Sequence, residues 1–274
     1  ENPRFSNISI DTRNIKKTSF YIPIKGKNFD GHDFIDNACK HGIKASLVEK
    51  KKIHLVKSKK IILIVVESTK KALANLAIYS RKRIKNLTMI CITGSSGKTT
   101  LKEWSQNILK NQFKIHYNEG NYNNEIGMPI TLVNMPKKTQ ICILELGMNK
   151  AGEINFLSQI AKPKIAIITN VGLAHIGNFS DQADIAREKS DIFKHLEKKG
   201  IAFIPGNSEF SNLLKKKAKN HKSFTFGSHK SFDLSFLEQR NSDQIEFNVF
   251  EKKIILQRKS DYNNWQINVL VILG

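Results

Sequence analysis

Residues 90–100 read Ile-Cys-Ile-Thr-Gly-Ser-Ser-Gly-Lys-Thr-Thr, and this stretch decides the fold of the chain. The apolar, β-branched residues 88–92 predict a central strand, and apolar residues at helical spacing in 101–109 predict a helix. A glycine loop between such a strand and such a helix presents backbone N–H groups to phosphate oxygens. Lys98 would reach the outer phosphates, and the Thr99 hydroxyl would bind Mg²⁺. The stretch therefore predicts a site for a nucleoside triphosphate.

The loop is shorter than the general phosphate-loop pattern G-x-x-x-x-G-K-[ST], which has glycine where this chain has Ile92. The predicted ATP ligands in the loop are Gly94, Ser95, Ser96, Gly97, Lys98, Thr99 and Thr100. An incidental Gly-Ser turn before a helix is the alternative. The strand, the glycines, the lysine and the threonine together favour the phosphate loop.

The charge of the chain suggests a polyanion as its partner. Its 45 Lys and Arg residues against 24 Asp and Glu residues give a net charge of +21. The lysines are scattered through nearly every segment without interleaved aromatic residues, however. This distribution argues against nucleic acid as the main partner, whereas the net positive charge still favours a substrate that carries phosphates.

Composition also bears on the cellular location. The longest apolar run, Ile61–Val66, is too short to span a bilayer. The three cysteines are far apart and lack metal-ligand spacing, which is typical of reduced residues in a cytosolic protein. We expect a cytoplasmic monomer without membrane insertion.

The pattern of apolar residues predicts an α/β fold with two domains. Residues 1–82 form a small α/β N-terminal domain, and residues 87–274 form a P-loop central domain. In the central domain, strands alternate with helices at a spacing typical of a mainly parallel sheet covered on both faces. Short alternating runs at 234–238, 245–250 and 253–256, with a turn at 241–243, predict an appended antiparallel meander. Both ends of the sequence lie in patterned segments, so we expect a fragment.

Polar residues follow two of the predicted strands, where ligands bind in parallel sheets. Glu145 follows an apolar strand and is a candidate to hold Mg²⁺ together with the Thr99 hydroxyl. A glutamate that caps the following helix is the alternative. His175 lies in a glycine-containing loop after the strand at 164–169, and its position fits a structural histidine as well as a ligand.

Lys189 lies on the inward face of a helix predicted over 181–197, four residues after Ile185. A lysine on such a face is costly unless it is paired, deprotonated or chemically modified. Spacing alone favours a side chain that extends to the surface, with a functional lysine as the alternative.

Short motifs in order along the chain resemble those of the Mur ligases, the ATP-dependent amide ligases of peptidoglycan synthesis. They are Asp11-Thr12-Arg13, residues 93–100, residues 123–129, residues 145–149 with 152–154, residues 170–175 and residues 186–189. Within the family, residues 123–129 and Asp30-Gly-His-Asp-Phe34 most resemble the members that add D-alanyl-D-alanine to UDP-N-acetylmuramoyl-tripeptide. Members that add the third residue are one alternative, and a P-loop ATPase that binds a polyanion is another.

The resemblance implies a reaction and a role for each matched residue. A substrate carboxylate attacks the γ-phosphate of ATP, and the amine of D-alanyl-D-alanine then displaces phosphate from the acyl phosphate. The implied catalytic residues are Lys98, His175 and Lys189. The implied Mg²⁺ ligands are Thr99, Glu145, His175 and Lys189, the last as a carbamate. Further implied contacts are Asn124 and Asn268 to ATP, and Asp11, Thr12 and Arg13 to the UDP-linked substrate.

Two departures from the family pattern bear on activity. Ile267 replaces the histidine that usually precedes the adenine-contacting asparagine, here Asn268. The family's third domain, which supplies further ATP contacts and much of the dipeptide site, has no counterpart in the sequence. We therefore expect this polypeptide to bind nucleotide weakly and to ligate little or nothing by itself.

Overall fold

The computed structural model describes residues 4–13, 15–238, 244–250, 252–257 and 265–273. The chain divides into two compact units. The first contains residues 1–85 and 126–137, and the second contains residues 86–125 and 138–274. Residues 126–137, which the sequence pattern placed in the central domain, thus belong to the first unit.

The first unit is built on a four-stranded parallel sheet in the order β1-β2-β3-β4. Its strands are β1 (Asn7–Ser9), β2 (Ser19–Tyr21), β3 (Ala45–Glu49) and β4 (Ile62–Val66), and its α-helices are α1 (Ile35–Lys40), α2 (Thr69–Lys82) and α4 (Gly127–Val133). Short 3₁₀ helices cover Gly31–Phe34 and Lys50–Leu55. Ser68 is the N-cap of α2, because its hydroxyl accepts a hydrogen bond from the Lys71 N–H (3.4 Å).

The second unit is built on one sheet of nine strands among the described residues, in the order β13-β12-β11-β10-β9-β8-β5-β7-β6. Its strands are β5 (Thr88–Thr93), β6 (Ile115–Tyr117), β7 (Ile141–Glu145), β8 (Ile165–Ile168), β9 (Ile201–Pro205), β10 (Lys222–Gly227), β11 (Leu234–Glu238), β12 (Gln244–Val249) and β13 (Lys252–Gln257). Its α-helices are α3 (Lys98–Leu109), α5 (Glu153–Ala161), α6 (Gln182–Ser190), α7 (Ser211–Lys217) and α8 (Trp265–Leu273). Strands β5 to β11 pair in parallel, and the described pairs β11–β12 and β12–β13 are antiparallel.

A hydrophobic core lies against the sheet of the second unit. Ile92 and Ile143 on its central strands and Leu101 on α3 are almost fully enclosed. Because apolar side chains occupy both faces of these strands, their sequences are nearly continuous apolar runs, as is typical of buried parallel strands. The loop after β5 thus follows a buried strand that lies between β7 and β8.

The α/β class, the mainly parallel sheet and the terminal meander are confirmed. Strands β3 and β10 carried no strand prediction, and the helix predicted over 181–197 ends at Ser190, where a 3₁₀ turn over Asp191–Phe193 follows. The predicted turn at 241–243 lies outside the described residues. In the part of the chain that the structure describes, every helix is too short or too polar to cross a membrane.

Candidate active site

The loops that follow β5, β7 and β8 lie side by side, because these strands are neighbours in the order β8-β5-β7 and run parallel. The glycine loop follows β5, Glu145 ends β7, and Thr169 and Asn170 follow β8. The carboxyl edge of the sheet thus gathers the predicted phosphate loop and its neighbours in one place.

Two glycines give the loop its shape. Gly94 has φ +153°, and a Cβ atom there would lie 1.8 Å from Oγ1 of Thr169. Gly97 has φ +78°, which is the left-handed region, and it begins α3. Side chains at these two positions would clash or strain the backbone, so the loop requires both glycines.

The loop is held by side chains that follow β8. Oδ1 of Asn170 accepts hydrogen bonds from the N–H groups of Ser95 and Ser96 (both 3.0 Å), and its Nδ2 donates to Oγ of Ser96 (2.7 Å). The hydroxyl of Thr169 donates to the carbonyl of Ser96 (2.6 Å). Since its backbone is tied at several points, the loop is organised before any ligand binds.

The N-terminus of α3 has the features of an anion site. Gly97, at the N-cap, has no side chain to cap the first N–H groups of this twelve-residue helix. Nζ of Lys98 donates to the Gly94 carbonyl (2.8 Å). Burial lowers the pKa of Lys98, and the charge of Glu145 partly offsets this effect. Uncapped N–H groups and one lysine can together receive a polyphosphate.

Glu145 points at the phosphate loop and does not cap the helix that follows it. Its Oε2 accepts a hydrogen bond from the Thr99 hydroxyl (2.7 Å), and its Oε1 accepts one from Nδ2 of Asn123 (2.8 Å). Its side chain is buried. A carboxylate and a hydroxyl this close are hard oxygen donors, the kind that Mg²⁺ prefers, so the pair fits the metal that the sequence motifs predict.

Lys189 is enclosed, with only 1% of the residue exposed, so the preference for a side chain that extends to the surface was wrong. Burial and the positive charge of Lys98 lower its pKa to about 7, against the opposing effect of Glu188. A buried amine near its pKa at neutral pH has a large neutral fraction, which is the form that reacts with carbon dioxide.

Glu188, beside Lys189, holds α6 against the start of α5. Its Oε2 accepts from the Gly152 N–H and its Oε1 from the Ile154 N–H, both at 2.8 Å. Gly152, at the N-cap of α5, has no capping side chain of its own. Glu188 therefore supplies the cap from a neighbouring helix, where the helix dipole favours a negative charge.

The remaining predicted site residues of the second unit differ in exposure. His175 is exposed with φ +69°, and its ring makes no hydrogen bond to a described residue. Thr100 and Asn124 are also exposed, whereas Asn268 is buried in α8, which packs against α3. No group of three His, Cys, Asp or Glu side chains within the described ranges is arranged to hold a metal ion. The predicted ligand set contains only two residues of those types.

In the first unit, Asp11 and Arg13 form an ion pair after β1. The Asp11 carboxylate accepts hydrogen bonds from the Arg13 N–H (2.9 Å), Nε (3.0 Å) and Nη2 (2.6 Å). These hydrogen bonds lower the pKa of Asp11. The Arg13 side chain is 85% exposed and Thr12 is half-buried.

A second ionic cluster of the first unit surrounds Asp30. Its carboxylate contacts Nδ1 of the buried His32 (2.7 Å) and the ammonium of Lys52. Nε2 of His32 accepts from the Glu49 N–H (3.2 Å), so Nδ1 carries the ring proton. Burial raises the pKa of Asp30, but the hydrogen bonds from Lys52 and His32 outweigh it and bring the pKa to about 2.

Sequence reasoning did not assign a role to four residues that shape this site, namely Asn118, Asn123, Asn170 and Glu188. Asn123, Asn170 and Glu188 fall within the quoted motifs, and the position of Asn170 directly after the predicted strand at 164–169 was a further signal. Asn118 and Glu188 act on segments that are 27 and at least 34 residues away along the chain. Local patterns carry no information about such partners.

Comparison with known protein families agrees with the motifs. The profile described as "Mur ligase middle domain" matches residues 92–270, and the one described as "Mur ligase family, catalytic domain" matches residues 4–81. The chain belongs to the Mur ligase family. The resemblance inferred from the motifs is thereby confirmed.

Individual relatives place the chain more closely. It is 34% identical over 232 residues to the UDP-N-acetylmuramoyl-tripeptide--D-alanyl-D-alanine ligase of Bacillus subtilis (strain 168). The aligned residues cover 85% of this chain and 50% of the relative. The fold resembles that of MurF from Acinetobacter baumannii (TM-score 0.88, 29% identity, 97% of this chain and 58% of that chain). It also resembles the MurF ligase from Thermotoga maritima in complex with ADP (TM-score 0.84, 31% identity, 99% and 62%). The chain spans about half the length of the named ligases it matches.

Proposed function

We propose that the chain carries the nucleotide and UDP-substrate parts of a ligase that joins D-alanyl-D-alanine to UDP-N-acetylmuramoyl-tripeptide, using ATP, in the cytoplasm. The contact that carries this proposal is the hydrogen bond between the Thr99 hydroxyl and the buried Glu145 carboxylate at the start of α3. It joins a phosphate loop to a carboxylate suited to Mg²⁺. The names of the relatives supply the substrates.

The reaction needs positive charge more than it needs acids or bases. A carboxylate oxygen of the tripeptide bonds to the γ-phosphorus of ATP while the bond to the bridging oxygen breaks, giving ADP and an acyl phosphate. The amine of D-alanyl-D-alanine then attacks the acyl carbon, loses a proton, and expels phosphate. Because the first step brings anions together, Lys98 and the N–H groups of α3 stabilise it by offsetting charge.

Thr99, Glu145, His175 and a carbamylated Lys189 would hold Mg²⁺, and the Thr99 hydroxyl and the Glu145 carboxylate, which are hydrogen-bonded to each other, supply the hard oxygen donors that this ion prefers. When bound, the ion would neutralise charge on the phosphates. Carbamylation requires the neutral Lys189 amine, and a pKa of about 7 provides it at neutral pH. In the first unit, Asp11, Thr12 and Arg13 bind the UDP end of the substrate.

Calorimetry with the 274-residue chain tests the substrate assignment. We expect UDP-N-acetylmuramoyl-tripeptide to bind at least about tenfold more tightly than the dipeptide precursor, a difference of about 1.4 kcal/mol. Preference for the dipeptide would instead indicate a ligase that adds the third residue. Salt-dependent binding to random DNA, without binding to either UDP-linked compound, would favour a polyanion-binding ATPase.

A second measurement addresses activity. Since the chain spans about half of its relatives, we expect it to release little or no phosphate by itself when supplied with ATP and both substrates. Turnover like that of a complete homologue, dependent on both substrates, would contradict this expectation.

A further inference from the structure

Asn118, the residue after β6, is fully buried and uses its side chain on the last residue of β7. Its Oδ1 accepts from the Glu145 N–H (2.9 Å), and its Nδ2 donates to the Glu145 carbonyl (2.9 Å) and to the Tyr122 carbonyl (2.9 Å). The side chain thus satisfies both backbone polar groups of the proposed metal ligand.

The sheet explains why this residue is needed. Strand β6 pairs with β7 only as far as Tyr117 opposite Ile143, whereas β7 continues to Glu145. On its other edge, β7 is paired with β5 up to Ile92 opposite Glu145. The N–H and C=O groups of one residue in a parallel strand point to the same side. Without Asn118, both groups of Glu145 would face the gap where β6 has ended, buried and unpaired.

We infer that Asn118 is a positioning residue that replaces the missing strand beside Glu145 and thereby aims its carboxylate at Thr99. This inference rests on the proposed nucleotide site. The Asn118 amide holds the Glu145 backbone on the β6 side, and the next residue, Leu146, donates its N–H to the Ile92 carbonyl of β5 (2.8 Å). Its side chain is then directed by Thr99 and Asn123, so the carboxylate is held ready before a ligand arrives.

Lys102 secures Asn118 from α3. Its buried ammonium donates to the Asn118 carbonyl (2.8 Å), and Lys102 lies one helical turn beyond Thr99. Helix α3 is therefore connected to Glu145 in two ways. Thr99 contacts Glu145 directly, and Lys102 contacts it through Asn118. A buried lysine is costly without such a partner, which supports a role in fixing this arrangement.

The test compares Asn118→Ala with a matched control, Asn134→Ala, in the first unit. Asn134 makes the same pattern of bonds: its Oδ1 accepts from the Ile8 N–H (2.8 Å), and its Nδ2 donates to the carbonyls of Ile8 (2.9 Å) and Ile130 (3.1 Å). Crystal structures of both variants without nucleotide report the distance from Oγ1 of Thr99 to Oε2 of Glu145. Calorimetry reports the factor by which Mg²⁺ strengthens ATP binding.

In Asn118→Ala we expect the Thr99–Glu145 pair to open beyond hydrogen-bonding reach, about 3.5 Å, and the Mg²⁺ factor to fall at least about fivefold. In Asn134→Ala both readouts stay as in the parent. A merely structural role would lower thermal stability without moving either readout, and an intact pair at 2.7 Å in Asn118→Ala would overturn the inference.

Two outcomes need separate handling. If Asn118→Ala does not fold, Lys102→Met decides by the same readouts, since it keeps the shape of the side chain but removes the bond to Asn118. If the parent chain does not bind ATP, the proposed nucleotide site fails, while the distance between Thr99 and Glu145 in the variant structures still decides the role of Asn118.

Discussion

Gly94→Ala should disrupt the phosphate loop by a steric clash. The cost of this clash can be measured by comparison with a substitution at a second glycine. The added Cβ would lie 1.8 Å from Oγ1 of Thr169, which itself donates to the Ser96 carbonyl (2.6 Å). Overpacking a filled site costs about 1–3 kcal/mol, and losing the Thr169 bond costs about 1 kcal/mol more. The clash should therefore lower the free energy of unfolding by about 2–4 kcal/mol.

Gly120→Ala is the matched control. Gly120 also has a positive φ, +47°, but a Cβ there has no neighbour within 4 Å. Gly120→Ala carries a backbone cost on the order of 1–2 kcal/mol, and Gly94→Ala carries a backbone cost of about 1–3 kcal/mol together with the clash. Urea unfolding followed by tryptophan fluorescence measures the difference in the relevant unit, because Trp104 and Trp265 both belong to it.

Two results would refute this reasoning. One is a Gly94→Ala variant less than about 0.5 kcal/mol below Gly120→Ala in unfolding free energy, the range of an ordinary surface change. The other is a lack of coupling with Thr169→Ala. Removing Oγ1 should relieve part of the clash, so the double variant should recover about 1–2 kcal/mol relative to the sum of the single changes.

Three further predictions concern the ionic groups. Asp30→Asn should reduce acid sensitivity. The stability that Asp30 contributes, about 2 kcal/mol, is complete above the unfolded pKa of 3.8 and is lost as pH falls through about 2. In urea unfolding between pH 5 and 2, the free energy of unfolding should therefore fall more steeply with pH in the parent than in the variant. Equal slopes for the two proteins would contradict this prediction. Glu188→Ala should cost about 2–4 kcal/mol because the Gly152 and Ile154 N–H groups lose a charged acceptor, with Glu188→Gln intermediate; urea unfolding that separates neither variant from the parent would count against the cap. Lys98→Met should weaken ATP binding at least about tenfold in calorimetry and should change the free energy of unfolding by less than about 1 kcal/mol, because the lost hydrogen bond to the Gly94 carbonyl is offset by removal of a desolvated charge; unchanged affinity would exclude Lys98 from the phosphate site.

The central strand–loop–helix unit could be predicted because its signals are local. Gly94, Gly97 and the Lys98-Thr99 pair lie within six residues and follow an apolar run, so pattern and spacing suffice. Glu145 was a candidate for the same reason, as the polar end of an apolar strand. Its contact with Thr99 required the additional fact that β7 lies next to β5.

The elements that escaped prediction depend on distant partners. The spacing of Lys189 does not reveal that its side chain is buried, because the Glu188 bonds that join α6 to α5 cross more than 30 residues. In the sequence, Asn118 cannot be distinguished from other loop residues. Its contacts with Glu145 depend on the end of β6 at Tyr117, which only the structure shows. Strand β10 begins with the polar Lys222 and Ser223, and its pairing with β9 overrides that weak local preference.

A crystal structure of this chain with a non-hydrolysable ATP analogue and Mg²⁺ tests the central claim most directly. We expect the phosphates at the N-terminus of α3 within reach of Lys98, and a metal ion that contacts both the Thr99 hydroxyl and the Glu145 carboxylate. A nucleotide bound elsewhere, or bound at the loop with the direct Thr99–Glu145 hydrogen bond intact and the metal held by other groups, would contradict it.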